Sequence, residues 1–103
     1  DASRVGLPPA MPDKVEQTTV AARWRQLGFS CALWVDPPGQ VWADFVHPVD
    51  ELVMVVDGEV EFEIDGAVHH PAPGEELLIP ARASHTVRTR GRAGSRWLYG
   101  YKR

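Results

Sequence analysis

Leu52-Val53-Met54-Val55-Val56-Asp57-Gly58-Glu59-Val60-Glu61-Phe62-Glu63-Ile64-Asp65-Gly66 decides the fold. From Glu59 to Ile64, acidic and apolar residues alternate strictly. Val60, Phe62 and Ile64 fall on one face and the three glutamates on the other. A period of two belongs to a strand, because successive side chains leave opposite faces. Leu52–Val56 is apolar throughout, which predicts a strand buried on both faces. Asp57-Gly58 is a type I′ hairpin signal, and Asp65-Gly66 marks a second hairpin turn.

Outward from this stretch the same grammar continues. Upstream, Phe29, Cys31, Leu33 and Val35 alternate with Ser30, Ala32 and Trp34, and Asp36-Pro37-Pro38-Gly39 makes a turn. Val41–His47 reads as a strand that Pro48 ends, since proline has no N–H for the ladder. Downstream, short strands at Ala67–His70 and Leu77–Ile79 flank Pro71-Ala72-Pro73-Gly74. His85–Arg90 follows, with His85, Val87 and Thr89 inward and Arg88 and Arg90 outward. Gly91–Gly94 turns the chain into a last strand, Arg96–Tyr101. About eight short strands with regular turns predict an all-β sandwich or barrel. One helix is expected at residues 19–27, capped by Thr18 or Thr19, packing through Val20, Trp24 and Leu27, and stopped at Gly28. Residues 1–18, with Pro8, Pro9 and Pro12, read as an extended arm, and residues 29–103 as the barrel of one domain.

Composition narrows the classes. The chain has 103 residues, enough for one core, and no run approaches the ~20 apolar residues of a membrane span. The polar, proline-rich Asp1–Pro12 does not read as a signal peptide. A single cysteine, Cys31, forms no disulfide within the chain and makes a reducing, cytoplasmic setting the default. Cys31 lies in an apolar run and reads as packing. Eleven acids and no Lys or Arg fall between Gln26 and Ala81, whereas Arg82–Arg103 holds seven basic residues and no acid. Net charge −3 opposes phosphate binding, so the two sets are expected to face each other across strands, with no nucleic-acid or membrane partner.

The chemistry concentrates in His47, Glu51 and His85. His47 and Glu51 are four apart, an even spacing that returns an extended chain to one face, although Pro48 bends the segment. His85 begins a later inward row, and inward positions of different strands converge in a barrel. Neutral imidazole and ionised carboxylate suit Zn, Fe, Mn or Ni. His69-His70 reads as strand end and loop, and Asp44 as surface. Trp34 and Trp42 are read as core or interface rings. Trp97, Tyr99 and Tyr101 either wall a pocket mouth or seal the barrel.

At these residues the chain resembles a small single-domain cupin. The first cupin motif is Gly, five residues, His, one residue, His, three residues, Glu, six residues, Gly. This sequence has Gly39, Phe45 in place of the first His, His47, Glu51 and Gly58. The second motif is Gly, five residues, Pro, one residue, Gly, two residues, His, three residues, Asn. Here it is Gly74, Pro80, Arg82 in place of Gly, His85, and Thr89 in place of Asn. The resemblance implies a jelly-roll, or double-stranded β-helix, barrel that is commonly a homodimer. It implies a divalent metal held by His47, Glu51 and His85, with Phe45 and Thr89 at motif positions beside it; Tyr99 and Tyr101, on one face of the last strand, are the further pocket candidates. Either this is a working two-His-one-carboxylate site or a decayed one. Three functions follow. The first is a metal-dependent small-molecule enzyme, with oxygenase, isomerase and lyase chemistry open. The second is a ligand- or metal-sensing module. The third is a barrel that only docks to a partner. Without metal, Glu51 in an apolar pocket becomes a candidate catalytic general base, its pKa raised by desolvation.

Overall fold

The computed structural model describes residues 15–103. The predicted arm therefore lies outside the described residues except for its last four. Among the described residues one helix, α1 (Gln17–Gln26), precedes eight strands: β1 (Ala32–Asp36), β2 (Val41–Phe45), β3 (Glu51–Asp57), β4 (Glu59–Ile64), β5 (Ala67–His69), β6 (Glu76–Ile79), β7 (His85–Arg90) and β8 (Ser95–Tyr101). The helix starts two residues before the predicted Thr19. Glu16 holds the N-cap position and makes no side-chain cap bond, so neither threonine caps it.

The strands form two four-stranded antiparallel sheets, ordered β1-β8-β3-β6 and β2-β7-β4-β5. This order is that of a jelly roll, in which the chain crosses between facing sheets at nearly every turn. Only β4 and β5 are both consecutive and paired, so Asp65-Gly66, with φ of 48° and 86°, is a true hairpin turn. Asp57-Gly58 is not: β3 and β4 lie in opposite sheets, and the dipeptide forms a corner between them. Its glycine is required by space as well as by φ of 90°, because a Cβ would sit 2.3 Å from the Gly94 carbonyl oxygen. Sequence alternation cannot tell a hairpin from a corner, since both need the same turn chemistry.

Two apolar layers result. Between the sheets lie Val53, Val55, Val60, Phe62, Ile64, Ile79, Val87 and Trp97. On the outer face of the first sheet, Leu52, Met54 and Leu98 pack under Trp24 of α1. The even and odd residues of β3 thus serve different layers, which is why the strand carries no alternation. Each fully buried large side chain here stabilises by about 1.5–3 kcal/mol. Trp24 is fully buried and its Nε1 donates to Glu76 Oε1 at 2.9 Å, tying the helix to β6. Leu27, expected on that face, is the C-cap and is 48% exposed. Where α1 leads into β1, the chain passes so close to Gly100 that a Cβ there would lie 1.8 Å from the Ser30 carbonyl oxygen.

The acidic and basic segments meet as expected. Register places Glu61 opposite Arg88 and Glu59 opposite Arg90. Arg88 donates to Glu61 at 2.7 Å and Glu63 at 2.8 Å, and Arg96 to Asp57 at 2.6 Å. Beneath Arg88, Glu61 is buried despite its outward parity.

Arg82 stands where the cupin motif has glycine, and its φ is 67°. A Cβ in the left-handed region costs about 1–2 kcal/mol, and the exposed Arg82 side chain makes no hydrogen bond or ion pair among the described residues. Arg82→Gly is therefore expected to raise unfolding free energy in urea by about 0.5–1 kcal/mol, after the greater chain entropy of glycine is subtracted. A loss of stability would show that the positive φ carries no cost.

Candidate metal centre and aromatic cavity

The backbone places the three candidate ligands by three separate devices. Glu51 opens β3 on its inward face and pairs in register with Tyr101 and Ile79. His85 opens β7 opposite Phe45 and Ile64. His47 sits in the loop that Pro48 forces after β2. Its carbonyl accepts the Arg82 N–H at 2.7 Å. Asp50 Oδ1 accepts the Ala81 N–H at 2.7 Å, and the Asp50 carbonyl accepts the Lys102 N–H at 2.9 Å. Loop 47–50 is thereby stitched both to the loop before β7 and to the end of β8.

The result is convergence. One ligand atom from each of His47, Glu51 and His85 lies within 4.8 Å of the others. Glu51 Oε1 is 3.4 Å from His85 Nε2 and 3.6 Å from His47 Nε2. Glu51 and His85 are buried, whereas His47 is partly exposed. His85 Nδ1 lies 3.1 Å from the Ala83 carbonyl oxygen. A carbonyl only accepts, so Nδ1 carries the hydrogen and the Nε2 of a neutral ring presents a bare lone pair towards Glu51.

Glu51 Oε1 is the one buried side-chain oxygen or nitrogen among the described residues with no hydrogen-bond partner. Burial pushes the Glu51 carboxyl up to about 7. Burial and the nearby His85 ring hold His47 below the ordinary imidazole range. The Tyr101 hydroxyl stands 3.5 Å from His47 Nε2, at the outer limit of a hydrogen bond. Burial first, then the Glu51 and Tyr99 charges, push Tyr101 up to about 12, so it stays a hydrogen donor.

Bare acceptors facing one another call for a cation between them. Zinc–ligand distances of about 2.0–2.2 Å put tetrahedral ligand atoms about 3.4 Å apart. The two measured spacings to Glu51 Oε1, 3.4 and 3.6 Å, fit that value. The donor set fits a divalent ion with open positions.

Beside the trio lies a cavity of about 200 Å³ lined by Trp34, Trp42, Phe45, Val87, Trp97, Tyr99 and Tyr101, together with His47 and Glu51. Phe45 stacks on His47 with centroids 6.1 Å apart and planes 13° from parallel. It reaches the wall because of a bulge. Trp42 pairs with Val87 and Phe45 with His85, so Ala43 and Asp44 together oppose Thr86. Asp44 takes φ of 60°, and its N–H donates to Thr86 Oγ1 at 3.1 Å. The extra residue shifts parity, and Trp42 and Phe45, three apart, both face inward.

Of the expected pocket residues, the cavity gathers Phe45, Tyr99 and Tyr101. Thr89 does not line it: the side chain is 2% exposed and its hydroxyl pairs with Ser95 Oγ at 2.8 Å. Trp97, Tyr99 and Tyr101 wall the pocket. Trp34 and Trp42, expected as core or interface rings, wall it too. Sequence reading missed Asp36, taken only as a turn residue. Its carboxylate is 4% exposed and accepts the indole N–H of Trp34 at 2.8 Å, Trp42 at 3.1 Å and Trp97 at 3.1 Å. The available signal was the i,i+2 spacing of Trp34 and Asp36, which shares one strand face. That face is the inward one, leaving Leu33 and Val35 exposed. Among the described residues His69 and His70 join no ligand cluster.

The cupin-domain family matches residues 32–101, whereas no curated protein matches the chain. Among solved structures it is similar to the cupin domain of an XRE-family transcriptional regulator from Enterobacter cloacae, with TM-score 0.67, 21% identity, and 77% of this chain and 85% of that one covered. The DMSP lyase DddQ from Ruegeria pomeroyi DSS-3 gives TM-score 0.66 and 22% identity, over 74% of this chain and 39% of that one. A sugar phosphate isomerase from a cupin superfamily, from Silicibacter pomeroyi DSS-3, gives TM-score 0.64 and 28% identity, over 74% and 51%. The chain thus spans 39% of the lyase and 51% of the isomerase. With both halves of the jelly roll inside the matched region, this chain belongs to the cupin-domain family.

Proposed function

We propose that His47, Glu51 and His85 hold one divalent metal ion and that the adjoining aromatic cavity presents a small molecule to it, as an enzyme does. The observation that carries this reading is Glu51 Oε1, buried without a hydrogen-bond partner between two imidazole nitrogens. A buried, unpaired carboxylate oxygen costs several kcal/mol, and a cation ligated by all three groups offsets that cost.

When bound, such an ion supplies Lewis-acid or redox chemistry to a substrate oxygen. The chain's own residues do the rest. Phe45 occupies the position of the family's first histidine and contributes no donor, which leaves a coordination position open to substrate. The ring and indole walls exclude water, which strengthens electrostatic interactions in the cavity. Tyr101, held protonated beside His47, is placed to donate its hydrogen to a substrate oxygen. DddQ and the isomerase are enzymes by name, whereas the Enterobacter domain belongs to a regulator. An open coordination position beside a cavity favours the enzyme reading for this chain. Among the described residues no Lys or Arg lines the cavity, so nothing in that lining favours a phosphate-bearing substrate.

A second reading has one observation in its favour. With its carboxyl pushed up to about 7, Glu51 is poised as a general base at neutral pH without any metal.

Protein purified without chelator is expected to carry close to one equivalent of divalent metal by elemental analysis. His47→Ala and His85→Ala should each weaken binding by at least about a hundredfold, more than the loss of an outer-shell partner. Wild-type protein that takes up no zinc, manganese, nickel or ferrous ion on titration sinks the metal reading.

The metal-free protein has a pH signature of its own. The Glu51 carboxyl rises from 4.5 to about 7 on folding, so the folded state holds the proton more tightly than the unfolded chain. Its stabilising effect is complete below pH 4.5 and is lost as pH climbs through 7. His47 works in the opposite sense, because its lowered folded pKa costs stability as pH falls below 6.5. The difference between wild type and Glu51→Gln isolates the carboxyl. That difference is expected to change by about 3 kcal/mol at most between pH 4.5 and pH 7 in chelator, measured by urea denaturation. A flat difference across this window contradicts a desolvated Glu51.

Phe45→His restores the missing donor of the first motif. It should tighten metal binding by at least about tenfold in competition with a chromophoric chelator. Unchanged affinity would mean that position 45 does not face the ion.

A further inference from the structure

Asp36 has no place in the metal reading, yet it is the most heavily hydrogen-bonded side chain of the interior. It ends β1, is 4% exposed, and has no Lys or Arg within ion-pair distance among the described residues. Three indoles from β1, β2 and β8 donate to it. Trp34 Nε1 reaches Oδ1 at 2.8 Å, and Trp97 Nε1 reaches Oδ2 at 3.1 Å. Trp42 Nε1 is shared between Oδ1 at 3.1 Å and Oδ2 at 3.2 Å. The polar edge of every indole in the cavity wall is therefore turned to one point and used.

What remains for the cavity is ring carbon. Trp34 meets Trp42 edge to face at 5.8 Å and 77°, and Tyr99 at 5.9 Å and 78°. Trp97 leans on Tyr99 at 5.9 Å and 56°. Rings set at steep angles to one another bound the space from several sides. Fixed aromatic rings around a small volume are the recognition element for onium cations, which bind through the ring quadrupole. Charge points the same way. The carboxylates at this site are Glu51 in the wall and Asp36 behind the rings, and among the described residues no Lys or Arg lines the cavity. A buried carboxylate is a costly anchor if the wall need only be apolar, because neutral packing of the same rings avoids its desolvation. The volume of about 200 Å³ suits about seven non-hydrogen atoms at the ~30 Å³ that each water molecule takes in the liquid.

We propose that the tryptophan end of this cavity binds a small onium compound, a quaternary ammonium or sulfonium head with an oxygen-bearing tail directed at His47, Glu51 and His85. Asp36 is the positioning residue that holds the three indoles. This assignment rests on reading the cavity as the substrate site, and it does not require the metal.

The test uses metal-free protein and two probes of the same shape, choline and its uncharged carbon isostere 3,3-dimethylbutan-1-ol, titrated by calorimetry. Choline is expected to bind at least about tenfold more tightly. In Asp36→Asn, that preference should fall below about threefold. If this variant does not fold, Trp34→Ala, at the 39% exposed mouth, should lose choline affinity in its place. Equal or tighter binding of the isostere overturns the proposal, as does binding of neither probe. A full preference retained in folded Asp36→Asn, or in Trp34→Ala where that variant stands in, also overturns it. Metal content, measured separately, reports on the metal alone, so a failure there and a failure here are distinguishable.

Discussion

A carboxylate oxygen without a proton donor, enclosed between two imidazole nitrogens, is the constraint around which this end of the molecule is arranged. Glu51 Oε1 is buried by the same strand that supplies the core residues Val53 and Val55. It cannot swing to solvent without breaking the inward row of β3. His85 cannot turn its bare nitrogen away, because the Ala83 carbonyl holds the opposite edge of the ring. His47 alone is partly exposed, and it is the candidate ligand fixed by a loop rather than by a strand. The backbone bonds from Arg82 and Ala81 to that loop supply the rigidity that strand pairing gives the other two. Three independent attachments therefore converge on one point, and disturbing any of them disturbs the others through Glu51.

Much of this was legible in the sequence. The strict alternation of Glu59–Ile64 and the unbroken apolar run of Leu52–Val56 fixed two strands, because burial on one face or two leaves different patterns. His47, Glu51 and His85 were legible through motif spacing. Three things were not. The corner at Gly58 carries the same residues as a hairpin, and only the pairing of β3 with β8 and β6 separates the two. The bulge at Ala43-Asp44 shifts side-chain parity within one strand, and nothing in the identity of Ala43 announces it. That shift is what brings Trp42 into the cavity wall beside Phe45. Asp36 was hidden differently: beside two prolines and a glycine, an aspartate reads as turn chemistry, and its three indole partners are scattered from position 34 to position 97.

Phe45 and Arg82, two of the departures from the cupin motifs, differ in kind. Arg82 keeps the backbone that the motif's glycine serves, with φ of 67°, and adds local strain without changing what the loop does. Phe45 keeps its place in the wall but changes the chemistry. A donor becomes a ring that stacks on His47 and extends the aromatic surface from Trp42 towards the metal ligands. One substitution thus removes a ligand and lengthens the apolar wall. Loss of a ligand alone would suggest decay. The remaining trio, however, keeps its convergence, its buried oxygen and the hydrogen bond that orients His85.

The cavity and the ligand trio also constrain each other electrostatically. A divalent ion held by the trio would, with the two carboxylates Glu51 and Asp36, bring this small region close to neutrality, and among the described residues no Lys or Arg lines it. Such an ion would lie at one end and Asp36 at the other, so charge would be separated along the cavity rather than cancelled at one point. A ligand with an electron-rich oxygen at one end and positive character at the other matches that gradient, whereas an anionic head at the tryptophan end would face Asp36. The same separation explains why the indole N–H groups matter. With all three donated to Asp36, no indole N–H is left to bind a substrate anion, and the three tryptophans offer a ligand only ring carbon.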